Sequence, residues 1–141
     1  MRRALGILVI VILLAACGDS APAGGGGVTG GAPPLSVAWF GSGYDPATFA
    51  ITGKSSSSKV GAPLVTVGHL FSARAPEDVS VTVSTGGSIR QTLPVAAGPT
   101  GPSDVYAADL AAANLAPASY IISFVDKRGT ILASGNLNIV P

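Results

Sequence analysis

The chain has few of the residues from which metal and catalytic sites are usually built. Its 141 residues include one cysteine, one histidine, one methionine and one tryptophan. A single cysteine excludes an internal disulfide, and one cysteine with one histidine cannot supply the ligand set of a structural zinc site. We therefore expect no metal ion and no other cofactor.

Charge is also scarce. Charged residues make up 11% of the chain, and the formal net charge is +1. Such a balance gives no reason to expect nucleic acid as a partner. Glycine (19) and proline (11) are abundant, which favours turns and short strands over long amphipathic helices. The length suits one globular domain.

The N-terminus has the layout of a secretory leader. Two arginines follow Met1, and residues 4–14, "ALGILVIVILL", are all apolar or glycine. As a helix this run is about 16 Å long, roughly half of a hydrocarbon core. It is therefore too short for a permanent membrane span and, followed by Ala15 and Ala16, predicts a signal peptide over residues 1–16.

The only cysteine comes directly after this leader. The sequence Leu14-Ala15-Ala16-Cys17 resembles the lipobox of bacterial lipoproteins. The resemblance implies cleavage between Ala16 and Cys17, a diacylglyceryl group on the Cys17 thiol and, in many bacteria, acylation of the new amino group. Two or three acyl chains anchor a protein stably where one chain binds marginally. The alternative is a plain secretory leader followed by a free or intermolecularly paired thiol.

The residues after Cys17 bear on location and reach. In enteric lipoproteins, aspartate directly after the lipidated cysteine favours the inner membrane, whereas this chain has Gly18 there. The resemblance thus implies a lipid-anchored protein of the bacterial cell envelope, in the outer membrane if the cell has one, with its domain outside the cytoplasm. Residues 17–34, rich in Gly, Ala and Pro, predict a flexible, disordered linker with an r.m.s. reach of about 20–25 Å.

Residues 35–141 predict an all-β domain. Short apolar or alternating runs are separated by clusters of Gly, Pro, Ser and Asp, with a spacing typical of a β-sandwich. The predicted strands are Leu35–Phe40, Thr48–Thr52, Leu64–Phe71, Val79–Ser84, Ser88–Val95, Tyr120–Val125, Thr130–Ala133 and Asn136–Val140. Residues 54–59, "KSSSSK", are expected to form a solvated loop. Residues 105–110 fit both a strand and an alanine-rich helix.

One short motif refines the fold prediction. Residues 115–120, "LAPASY", resemble the tyrosine corner of Ig-like and fibronectin III-like domains. The resemblance implies an antiparallel β-sandwich of that kind, in which the Tyr120 hydroxyl bonds to main chain a few residues upstream. Period-two alternation predicts a core of Val37, Trp39, Leu64, Val67, Leu70, Val81, Val83, Leu93, Leu110, Leu115, Tyr120, Ile122, Phe124, Leu132 and Ile139.

No set of residues indicates catalysis, so we predict that the chain is not an enzyme. His69 lies within an apolar strand and is expected to be a half-buried structural residue. Asp45 and Asp78 lack the spacing of a calcium loop. Trp39, Tyr44 and Phe49 would make an aromatic platform for glycans or peptides, although packing or edge cover is the favoured interpretation.

Two functions fit this description. The first is a membrane-anchored envelope lipoprotein whose Ig-like module binds or scaffolds an envelope protein or glycan without catalysis. The second is an inhibitor or accessory subunit of an envelope enzyme. Such a subunit would insert residues 41–46, "GSGYDP", or residues 96–104, "AAGPTGPSD", into its target.

Overall fold

A computed structural model describes residues 36–96 and 102–141. The all-β prediction is confirmed, because this part of the chain contains strands and two 3₁₀ turns (Pro76–Asp78 and Ala111–Ala113) but no α-helix. The strands are β1 Ser36–Gly41, β2 Gly43–Tyr44, β3 Ile51–Thr52, β4 Ser57–Lys59, β5 Val65–Arg74, β6 Val79–Thr85, β7 Ser88–Pro94, β8 Ser103–Asp109, β9 Ala118–Asp126 and β10 Ile131–Val140. The predictions for the signal peptide, Cys17 and the linker lie outside the described residues.

Eight strands form one curled, mixed sheet. The order is β7-β6-β9-β10-β1-β5-β8, β4 lies beside β10, and β2 pairs only with β3. Strand β1 joins the two halves, since Ser36 and Val37 pair with β10 and the residues from Ala38 onwards pair with β5. We call β7-β6-β9-β10 the large arm and β5-β8 the small arm. The β1–β10 and β4–β10 pairs are parallel, which corrects the expectation of a purely antiparallel arrangement.

The main core lies between the two arms. Val81, Ile122, Phe124 and Leu137 of the large arm pack in one buried cluster with side chains of the small arm such as Tyr106. The approach is close: a Cβ on Gly68 of β5 would lie 2.5 Å from the Phe124 ring. Because no real Cβ tolerates that distance, glycine is required there for the arms to meet.

Most of the predicted core is confirmed. Leu64, Val67, Leu70, Val81, Val83, Leu110, Tyr120, Ile122, Phe124 and Ile139 are buried. Leu93, Leu115 and Leu132 pack partly buried against the main cluster.

The prediction was wrong in β1, where Val37 and Trp39 are exposed and Ala38 and Phe40 are buried. The alternation is real, but a shift of one residue turns every side chain of a strand to the other face. In this strand Phe40 fills the space beside Gly135 of β10.

Several element boundaries also differ from the predictions. Residues 105–110, left open between strand and helix, belong mainly to β8, whose Tyr106 and Ala108 face the core. The two C-terminal strands are one continuous strand, β10, and the predicted strand 48–52 shrinks to Ile51–Thr52. Part of the expected loop 54–59 forms β4, which extends the sheet beside the end of β10.

The hydroxyl contact expected of a tyrosine corner is present. The Tyr120 hydroxyl donates a hydrogen bond of 3.0 Å to the carbonyl of Ala116, four residues upstream. The Tyr120 side chain is itself buried in the main core. The contact therefore ties the start of β9 to the segment that leads into it.

Candidate binding site

A notch opens beside β10 where β1 leaves it. Strand β1 pairs with β10 only through Ser36 and Val37, and β4 lies beside β10 from Asn138 onwards. The intervening stretch of β10 contains Gly135, where an added Cβ would lie 2.5 Å from the Ala38 carbonyl oxygen. The absence of a side chain at Gly135 thus lets the β1 backbone pass close to β10 as it crosses from one arm to the other. This crossing leaves the notch open beside β10.

The notch has a volume of about 450 Å³ and a mixed lining of Ala38, Trp39, Phe40, Lys54, Ser55, Ser56 and Asn136. Trp39 is 39% exposed, which is high for a large aromatic residue. The Lys54 ammonium lies 2.9 Å from the centroid of the Trp39 ring. This is a cation–π contact, and it holds a positive charge at the edge of the notch.

The lining defines what the notch can bind. An aromatic ring offers a flat apolar surface, and the Asn136 amide and serine hydroxyls offer donors and acceptors. A hollow that combines apolar surface with a few placed polar groups is the usual form of a non-covalent ligand site. The Ser55 hydroxyl also shapes the loop, since it donates to the Ser57 carbonyl at 2.8 Å.

The three aromatic residues considered as a platform do not form one. Tyr44 and Phe49 stack on each other, with ring centroids 5.7 Å apart and planes 9° from parallel. Phe49 is buried with Val67 and Ala107 in a second, smaller cluster. The favoured interpretation, packing, is thus confirmed for Phe49, whereas Trp39 is an exposed residue of the notch.

His69 is exposed on β5 rather than half-buried, which corrects the prediction. Its side chain shares the strand face of Val67 and Phe71, opposite the face of Gly68 and Leu70 that meets the core. This outer face of the small arm is covered only in part. His69 is therefore in contact with solvent, although the sequence of β5 is mainly apolar.

The aspartates considered for calcium have other contacts. The Asp45 carboxylate accepts hydrogen bonds from the backbone of Ala47 at 2.7 Å and Thr48 at 3.3 Å. The Asp78 carboxylate forms an ion pair with the Lys127 ammonium, with 2.6 Å between oxygen and nitrogen. The hydrogen bond within this pair raises the pKa of the Lys127 ammonium. Across residues 36–96 and 102–141, no three metal-ligating side chains come together.

Of the two loops predicted to insert into a partner, the structure describes the first completely and the second only in part. Residues 41–46 lead into the β2–β3 hairpin, whose turn is exposed from Asp45 to Thr48 while Phe49 behind it is buried. Residues 97–101, most of the second loop (residues 96–104), lie outside the described part of the chain, as do Ala16 and Cys17. Among the described residues no helix is long and apolar enough to cross a membrane.

A comparison with protein-family models, curated proteins and solved structures finds no significant match to this chain.

Proposed function

We propose that the chain is a lipid-anchored lipoprotein of the bacterial cell envelope, and that its module binds or scaffolds another envelope component without catalysis. The observation that carries this proposal is the sequence Leu14-Ala15-Ala16-Cys17 directly after a basic and then apolar leader. In this interpretation Cys17 carries the lipid, the linker of residues 17–34 spaces the module from the membrane, and residues 35–141 recognise the partner.

We further propose that the module is an Ig-like or fibronectin III-like β-sandwich. Three observations support this assignment. The two arms enclose a single main core, β1 divides its pairing between them, and the Tyr120 hydroxyl bonds to the Ala116 carbonyl. Domains of this architecture serve many unrelated functions, so the fold alone assigns no partner.

The notch at Trp39 is the surface that we propose for binding an envelope protein or glycan. It combines the exposed Trp39 ring, the Lys54 ammonium and the Asn136 amide within one hollow. Tryptophan is enriched among the residues that dominate binding energy at protein interfaces, and an aromatic ring also stacks well on the apolar face of a sugar.

Lipidation is tested by growing cells with labelled palmitate. The wild-type chain should incorporate label and fractionate with membranes. Cys17→Ser should lose the label and accumulate as an uncleaved precursor or a soluble form, whereas Asp19→Ser, two residues away in the linker, should behave as wild type. A Cys17→Ser variant that still takes up palmitate would exclude the lipobox.

Binding at the notch is tested by cross-linking in intact cells. The wild-type protein should yield a defined cross-linked product, and Trp39→Ala should lose it. Ile89→Ala is a matched control, because Ile89 is a similarly apolar and even more exposed residue on β7. If both variants keep the product, the notch is not the binding surface.

The alternative function, an inhibitor or accessory subunit, has one observation in its favour. The turn from Asp45 to Thr48 is exposed, yet it is held by the Asp45 hydrogen bonds and by the buried Phe49 behind it. A rigid exposed turn is suited to insertion into an enzyme cleft. This function predicts that Pro46→Gly, and not Trp39→Ala, abolishes the cross-linked product.

A further inference from the structure

Three exposed apolar side chains surround the point where the chain joins β1. Val37, Phe71 and Ile131 are 47%, 75% and 44% exposed. Ile131 comes shortly before Ala133, the parallel partner of Ser36, and Phe71 comes shortly after Gly68, the antiparallel partner of Ala38. Strand direction therefore places all three at the end of the sheet where the chain arrives from residue 35. We call Val37, Phe71 and Ile131 the proximal rim.

Charges near the proximal rim nearly cancel. The two loops at this end of the sheet, the strand ends beside them and the start of β8 carry three basic residues (Arg74, Lys127, Arg128) and four acidic ones (Glu77, Asp78, Asp104, Asp126). Lys127 is paired with Asp78, and the Asp126 carboxylate accepts backbone hydrogen bonds from its own turn. This end of the domain is thus apolar at the rim and carries no strong field of one sign, so an anionic lipid surface would neither strongly attract nor strongly repel it.

We infer that the proximal rim rests on the lipid bilayer in which Cys17 is anchored. The inference rests on the proposed lipidation of Cys17. From Cys17 to Ser36 the chain can span at most about 65 Å when fully extended, and about 25 Å as the flexible linker that the sequence predicts. A linker of this length keeps the rim near the lipid at an effective concentration on the order of millimolar. A weak apolar contact is then sufficient to orient the domain.

The size of the rim favours a bilayer over a second protein. Three separate side chains bury far less than the roughly 1,000 Å² that a specific protein interface requires. A lipid interface needs no shape complementarity, and apolar and aromatic side chains enter the boundary between headgroups and acyl chains readily. Phe71, the most exposed of the large apolar residues described, would enter it most deeply.

The chain carries its own reporter for this contact. Trp39 is the only tryptophan, and it lies on the same face of β1 as Val37, two residues further on. The full lipidated protein is reconstituted into phosphatidylcholine vesicles with and without brominated acyl chains, and Trp39 fluorescence is recorded. We expect quenching of the wild type and loss of most of it in the double variant Phe71→Ser/Ile131→Ser.

The control is Ile89→Ser, because Ile89 is 65% exposed and pairs with Ser84 at the opposite end of the large arm. This variant should be quenched as the wild type is. All variants should float with the vesicles, since each keeps Cys17.

The outcomes separate the inference from the proposal on which it rests. A wild-type chain without lipid on Cys17 would overturn both. A lipidated, vesicle-bound wild type without quenching, or quenching that survives Phe71→Ser/Ile131→Ser, would overturn the rim alone. Quenching that appears only with added phosphatidylglycerol would also overturn it, because charge would then be the cause. A further outcome is Trp39 emission that changes with protein density, and to the same extent in vesicles and in detergent. That result would overturn the bilayer contact and indicate that the rim contacts a second copy of the chain.

Discussion

Tyr120 performs two tasks with one side chain. Its ring packs in the main core, and its hydroxyl donates to the carbonyl of Ala116 at 3.0 Å. The motif "LAPASY" predicted this contact through its resemblance to the tyrosine corner, in which the tyrosine hydroxyl bonds to main chain a few residues upstream. The residue-scale prediction was possible because every participating atom lies within six consecutive residues.

Removing the Tyr120 hydroxyl should have a measurable cost. Tyr120→Phe keeps the ring and is expected to lower the free energy of unfolding by about 0.5–1.5 kcal/mol. Tyr120→Ala also leaves a cavity and should cost about 3–5 kcal/mol. Tyr44→Phe is the control, since it keeps the stack on Phe49 and should stay within about 0.5 kcal/mol of wild type. Urea unfolding measures all three. Equal midpoints for Tyr120→Phe and Tyr44→Phe would remove the hydrogen bond from the account.

Asp126 gives the turn between β9 and β10 a dependence on pH. Its carboxylate accepts hydrogen bonds from the backbone of Thr130 at 2.9 Å and Arg128 at 2.8 Å. These bonds, the one from Thr130 foremost, lower the pKa of the Asp126 carboxyl below its ordinary value. The charged form therefore stabilises the fold. Its contribution is complete above the pKa of the unfolded chain and is lost as the pH falls through the lower pKa of the folded state.

Asp126→Asn should accordingly be less stable than wild type at neutral pH. The difference should shrink as acid protonates the wild-type carboxylate. Thermal unfolding of both proteins over a series of pH values measures this difference directly. A gap between the two melting temperatures that stays constant into strong acid would show that the charge of Asp126 has no part in stabilising the turn.

At the scale of the element, β1 shows where sequence reasoning reached its limit. Val37 and Trp39 alternate with Ala38 and Phe40, so the pattern identified a strand but not which face meets the core. The choice depends on Gly135, far along the chain, whose missing side chain admits the Ala38 carbonyl and the Phe40 ring. No local pattern carries that information. For the same reason Trp39 was predicted to lie in the core, and the notch was not foreseen.

Strand β8 shows a second limit. Alanine favours a helix in isolation, so residues 105–110 fitted both structures. The fold selects the strand because it turns Tyr106 and Ala108 to the core together and lets the Tyr106 hydroxyl reach the carbonyl of Arg74 on β5. The helical tendency survives only in the 3₁₀ turn Ala111–Ala113. Tertiary packing thus overrides local propensity here.

The crossing of β1 should be sensitive to any side chain on Gly135. Gly135→Ala would place a Cβ 2.5 Å from the Ala38 carbonyl oxygen, and a backbone atom cannot move aside as a flexible side chain can. We expect a loss of about 1–3 kcal/mol, as for other overpacked sites. Gly43→Ala is the matched control, because an added Cβ there has no neighbour within 4 Å. Urea unfolding of the pair would contradict the account if both variants matched the wild type.

At the scale of the whole molecule, the sequence divides into two parts that are read by different rules. For residues 1–34 we propose export and tethering, and that proposal depends on residue order and composition along the chain. Residues 35–141 follow the rules of packing, so their class was predictable from alternation and turns, while the pairing of β1 and β4 with β10 was not. The notch and the proximal rim both arise from how β1 crosses between the arms.

The central claim is that Cys17 is the lipidated first residue of the mature protein. Mass spectrometry of the N-terminal peptide, from protein extracted with detergent from membranes of the native organism, tests it most directly. We predict a peptide that begins at Cys17 and carries the added mass of a diacylglyceryl group on its thiol, with or without an acyl chain on its amino group. A mature chain that begins at any other residue, or an unmodified Cys17, would contradict the account.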